Sequence, residues 1–98
     1  MLLEDCDEAT VDGVALRRTA IGPTHAVVYR LGKAGDYSGL RIAHVRAGPI
    51  AGGILLERAG NETTTLTDYR ITGNFSTVTD HIHGERGVIA DNLPSATK

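Results

Sequence analysis

The chain has 98 residues with 12 acidic and 10 basic side chains, a formal charge of −2, one cysteine, three tyrosines, one phenylalanine and no tryptophan. That balance argues against a nucleic-acid surface, which needs clustered positive charge. A single cysteine excludes an internal disulfide, and no segment approaches the roughly 20 apolar residues of a membrane helix.

The length is that of one domain, read as an extended N-terminal arm over residues 1–20 and a small β domain over 21–98. Val, Ile and Leu must supply most of the burial, each about 1.5 to 3 kcal/mol when fully buried. In the arm, Leu2 and Leu3 precede an acidic stretch with no sustained period, and Val11, Val14 and Leu16 sit irregularly around Gly13. Glu4, Asp5, Asp7 and Glu8 stand where a secretory signal would be basic, so synthesis in a cytoplasm is expected. Cys6 fits a reducing compartment, and its acidic neighbours disfavour a reactive thiolate. Arg17-Arg18, the only adjacent basic pair, suits a solvated face, and Gly22-Pro23 closes the segment.

Ala26 to Leu31 is short, β-branched and bounded by turn residues, the pattern of a buried strand. After the Gly32 to Asp36 loop, Leu40 to Val45 alternates. Leu40, Ile42 and His44 are expected on one side, with Arg41, Ala43 and Val45 on the other. Ala47-Gly48-Pro49 stops that strand. From Ala51 to Phe75 an apolar run, the Gly60-Asn61 turn signal and a threonine-rich run predict a β-hairpin. Leu55 would then face Leu66, Ile54 would face Thr67, and Glu57 would face Thr64. Gly73-Asn74 marks another turn, Phe75 to Ile82 is half exposed, Val88 to Ala90 forms a closing strand, and Asp91 to Ser95 is a tail. No internal repeat at a solenoid period and no low-complexity tract is evident, and no segment has a convincing helical period. The expected fold is mainly β, a small barrel with its arm.

His81, His83 and Glu85 form the sharpest local constellation. On a strand, the two histidines would share one face and could meet a metal, as in the His-x-His motifs of cupin-type barrels. No third histidine follows, since His25 and His44 lie upstream, so no metal or cofactor is assigned. Ser38, Ser76 and Ser95 lack a nucleophile-elbow context, and the glycines of 32–35 and 48–53 lack the P-loop Lys-Ser or Lys-Thr. Thr63 to Thr65 suits a rigid β surface. No catalytic residue is assigned.

At Gly53-Ile54-Leu55, Thr64-Thr65-Leu66-Thr67, Tyr69, Gly73 and Phe75 the chain resembles the head decoration proteins of tailed bacteriophages, the lambda type in particular. The pattern covers about a quarter of the chain. Val78 to Glu85 departs from it, being polar where that family often has an apolar or Trp-containing segment. The resemblance implies a β-tulip-like, non-enzymatic protein that trimerises on the exterior of the expanded virion head, contacts the major capsid protein, and steadies the shell against packaged DNA. Leu2, Leu3, Val11, Val14 and Leu16 of the arm would then be the capsid contacts. Another small β binding or assembly module, such as a virion component or host-enzyme inhibitor, is the alternative, followed by a metal-dependent β-barrel enzyme.

Overall fold

Short β-branched segments separated by turn residues become strands here, but each pairs with the corresponding segment one circuit of the chain later. A computed structural model of the protein describes residues 1–16, 25–47, 53–60 and 63–92. Coil 1 holds β1 (Leu2–Glu4), β2 (Thr10–Asp12) and β3 (Ala15–Leu16). Coil 2 holds β4 (Val27–Leu31), β5 (Gly35–Ser38), β6 (Arg41–Ala43) and β7 (Arg46–Ala47). Coil 3 holds β8 (Ile54–Arg58), β9 (Thr64–Thr67) and β10 (Arg70–Thr72), and coil 4 holds β11 (Val78–Asp80) and β12 (Val88–Ala90).

Every strand pairing is parallel. One sheet runs β1-β4-β8-β11 and another β12-β10-β6-β2, while β3-β7 and β5-β9 form two shorter sheets. Bridges from Phe75 to Arg46 and from Glu85 to Thr67 carry the shorter sheets on toward the later coils. The described residues thus form a parallel β-helix of four coils, mainly β, with no α-helix among them.

The core follows from this stacking. In-register neighbours in parallel strands put their side chains on the same side of the sheet. Val11, Ile42, Ile71 and Ile89 therefore make one inward column, and Leu3, Tyr29, Leu56 and Asp80 another. Tyr29, Ile42, Leu56 and Ile71 are fully buried within them. Asp80 ends its column with a carboxylate that accepts the Ile82 and His83 amides and so closes the last corner.

The corners repeat as well. Gly13, His44, Gly73 and Asp91 occupy equivalent positions after β2, β6, β10 and β12, all with positive φ, as do Glu8, Gly39, Asp68 and Arg86 before those strands. Left-handed backbone costs a non-glycine residue about 1 to 2 kcal/mol, and stacking offsets it with hydrogen bonds from coil to coil. Examples are Gly13 N to Ala43 O, His44 N to Gly73 O and Gly73 N to Asp91 O. One residue beyond the first of these corner columns, Asn74 accepts the buried Val45 amide on Oδ1 at 2.9 Å and donates from Nδ2 to the Asn92 side chain at 2.8 Å. At Gly53 (φ +79°) the constraint is steric too, since a Cβ there would collide with the Thr77 carbonyl.

Several expectations need correction. The Gly60-Asn61 hairpin does not form: β8 lies between β4 and β11, and β9 pairs with β5. Leu55 instead meets Val28 and Thr79, Leu66 meets Tyr37, Thr64 meets Gly35, and Glu57 meets Arg30. Gly60 does take positive φ (84°), as a corner between faces. A closed barrel is absent among the described residues, because both long sheets end in open edges at coils 1 and 4. The segment read as an arm contributes β1, β2 and β3, and Val11 is only 4% exposed. His44 faces solvent while Val45 is fully buried, the reverse of simple alternation, because left-handed backbone at His44 turns the chain by one residue. A solenoid repeat does exist. Arg17, Arg18, Gly22-Pro23, Gly48-Pro49, Asn61 and Ser95 lie outside the described residues.

Two outcomes are expected. Deleting residues 1–16 removes the strands that cover β4 and β6, so the melting temperature should fall sharply or the cooperative transition vanish; a truncated chain that melts like the full one would contradict this placement. Asn74→Ala leaves the buried Val45 N–H without an acceptor and should cost about 2 to 3 kcal/mol in denaturant unfolding.

Candidate functional site

Polar side chains on the outside of the stack mostly pair across coil junctions, opposite charge to opposite charge or donor to acceptor. Arg30 of coil 2 meets Glu57 of coil 3 at 2.6 Å, and the hydroxyl of Thr65 donates to Asp36 at 2.7 Å. Arg86 forks onto the two carboxylate oxygens of Asp68 at 2.8 and 3.0 Å. The His44 ring nitrogen Nδ1 lies 2.7 Å from Asp12. Asp5 and Asp7 of coil 1 accept main-chain amides of coil 2, from Gly32 and Lys33 and from Ser38 respectively.

One junction breaks the rule. Arg41 of β6 and Arg70 of β10 are direct register partners, both exposed, on the outer face of the β2-β6-β10-β12 sheet. Paired strands are about 4.8 Å apart, and like charges directly opposite one another are destabilising. Neither guanidinium has an acceptor among the described residues. The nearby carboxylates, Asp12 at the end of β2 and Asp68 on the adjoining corner, are engaged by His44 and Arg86. The neighbouring outward column is small and flat: Asp12, Ala43, Thr72 and Ala90. Beyond the His44 corner, the Arg46 guanidinium carbon stands 5.8 Å from the centre of the Phe75 ring, which is 52% exposed. This face therefore offers two planar cations free to donate to carboxylates in a fork geometry, and across the corner, on the β3-β7 side, Arg46 stands over an exposed aromatic ring.

The residues expected at functional positions are spread over coil 1 and the last corner. Of the proposed capsid contacts, Val11 is in the core, Leu3 and Val14 are partly buried against it, and Leu2 is exposed on the outer side of β1; Leu16 lies in β3. His81 and His83 are not on a strand. β11 stops at Asp80, and His83 has φ of +57° in the corner that Asp80 caps. Among the described residues no three His, Cys, Asp or Glu side chains are grouped to hold a metal ion. Cys6 Sγ sits 3.5 Å from the Glu4 carbonyl. The Ser76 hydroxyl is buried with no hydrogen-bond partner among the described residues. Arg41 is placed by the sequence only on the strand side opposite Leu40 and Ile42, and neither it nor Arg70 is read there as a site residue, although Leu40-Arg41-Ile42 and Tyr69-Arg70-Ile71 repeat one pattern between corner residues.

Tyr29 donates to the Cys6 carbonyl at 2.8 Å, and burial pushes its phenol well up. Asp5 is held below its ordinary 3.8, first by the Lys33 amide and then by that of Gly32. Arg86 lowers Asp68 in the same direction.

No family model matches the sequence, and neither a curated protein nor a solved structure matches the chain.

The two lowered carboxyls set a pH dependence. A group whose folded pKa is depressed contributes stability above its unfolded value and loses it as pH falls through the folded one. The urea midpoint should hold from neutral pH down toward 3.8 and drop below it, and Asp5→Ala should shrink that acid-dependent drop. An unchanged drop in Asp5→Ala would show that the coil 1 to coil 2 corner does not depend on this carboxylate.

Proposed function

We propose that this chain is a non-enzymatic binding and assembly module that docks on an acidic protein surface through the outer face of β2, β6, β10 and β12. The observation that carries this reading is the Arg41 and Arg70 stack. It opposes folding where every other described charged junction favours it, and a carboxylate-bearing partner lying across the two coils would neutralise it. A stack of coils also gives what docking needs, a flat and rigid side on which recognition residues are held by the sheet rather than by a loop.

The specific form suggested by the sequence resemblance is a phage head decoration protein. It would act as a homotrimer on the exterior of the virion, made in the host cytoplasm, holding the major capsid protein of the expanded head without cofactor, membrane or nucleic acid. What supports that form is the residue pattern from Gly53 to Phe75. Those residues each have a place in building coil 3 as well: Gly53 for close approach to Thr77, Tyr69 in the core, Gly73 at a left-handed corner. The broader reading therefore has the stronger footing.

Arg41→Gln with Arg70→Gln, which removes the like-charged rung without creating another, should abolish capture of an acidic partner while leaving the melting temperature unchanged or raised, and wild-type capture should weaken steeply with salt. Retained capture by the double variant would remove this face from the function. Native mass and co-sedimentation separate the phage-head form: a trimer that sediments with expanded heads and leaves unexpanded ones bare supports it, whereas a monomer indifferent to both refutes it.

A further inference from the structure

Coil 4 leaves the stacking pattern unfinished. The outer edges of β11 and β12 have no neighbouring strand among the described residues. Ile89 continues the inward column of Ile42 and Ile71, yet it is 39% exposed where they are at 1% and 0%. The opposite end also has open strand edges, on β1 and β2, but there the aliphatic column is buried. Val11 is only 4% exposed, and Leu3, Cys6, Ala9 and Val14 of coil 1 are partly buried against the core.

The asparagine corner supplies a second, independent observation. Asn74 Oδ1 accepts the Val45 main-chain amide of the coil before it, and Asn92 Oδ1 accepts both the main-chain amide of Asn74 at 3.2 Å and its side-chain amide at 2.8 Å. The amides of coils 2 and 3 at this corner are thus each satisfied by the asparagine of the coil that follows. Asn92 itself donates from Nδ2 back to the Ile71 carbonyl, and its own main-chain N–H meets no acceptor among the described residues. The next rung is missing both in the aliphatic column and in the amide ladder.

We infer that the coil 4 edge is a docking site for an extended segment of another chain, lying parallel to β12 as a further strand. The occupant's chemistry is written twice in this protein, as Ile71-Thr72-Gly73-Asn74 and as Ile89-Ala90-Asp91-Asn92. It has an aliphatic residue to cover Ile89, one variable residue, a residue that accepts positive φ, then an asparagine whose carbonyl takes the Asn92 amide. Main-chain bonds along β12 supply affinity, and these two positions supply selection. A second copy stacked head to tail does not meet the requirement. It would bring Val11 against Ile89 but Val14 against Asn92, and valine has no side-chain acceptor.

The test is a fluorescently labelled peptide of the Asp68 to Phe75 sequence, DYRITGNF, titrated into the full chain and followed by anisotropy. Saturable binding is expected, weakened about fivefold or more when the peptide's asparagine is alanine. Ile89→Lys in the protein should abolish it, and hydrogen exchange should show new protection of the amides of residues 88–92 on binding to the wild type. Absence of binding to the full chain, or equal binding of the alanine peptide, would overturn the inference. Binding that emerges only after removal of residues 93–98 would assign the edge to the chain's own tail and overturn it as well.

Discussion

The structure depends on register between coils. Each inward aliphatic side chain gains its contacts from the residue at the same position one circuit earlier and one later, so Val11, Ile42, Ile71 and Ile89 act as one column. A slip of one residue in any coil would turn its column outward. Val27, Tyr29, Leu31, Ile54 and Leu56 bury the other wall in the same way. A modest set of aliphatic residues and three tyrosines is enough because a narrow stacked interior has little volume to fill.

Corners fix that register. Left-handed residues recur at matched positions, some of them glycine or aspartate, for which the conformation is mild, and others histidine, glutamate or arginine, for which it is not. The amide of one coil donating to the carbonyl or side chain of the next supplies the compensation. Asn74 shows the principle most fully, joining coils 2, 3 and 4 through Val45, Ile42 and Asn92. Arg58 does comparable work at another corner, reaching the Thr64 hydroxyl and carbonyl and the Ile82 carbonyl.

A stacked fold separates two kinds of surface, and each supports a distinct binding chemistry. The sides are built of paired strands and present side chains in a fixed lattice, where Arg41 beside Arg70 is the one like-charged rung among the described residues. The ends expose unpaired backbone, which favours adding a strand over adding a ligand. Contacts through the side select for charge, and contacts through the coil 4 end select for shape and an amide partner.

Strand composition was legible in the amino acids. Val27 to Leu31 and the segment around Ile42 have the β-branched, turn-bounded character that the strands require, and Gly60 and Gly73 take the positive φ that their turn signals implied. Pairing was not legible. Gly60-Asn61 between two β-prone runs favours a hairpin on local grounds, and nothing local records that Ile54 and Thr64 would find partners in coil 2 at Val27 and Gly35. The repeat was hidden because the separations between column members vary, with Ile71 and Ile89 much closer in sequence than Val11 and Ile42. The candidate face escaped notice for a related reason. Arg41 and Arg70 are ordinary exposed residues until two coils stack and place them side by side. Local chemistry specifies which residues extend and which turn, whereas partners distant along the chain are chosen by burial of whole columns at once, a cooperative free energy that belongs to the assembled stack.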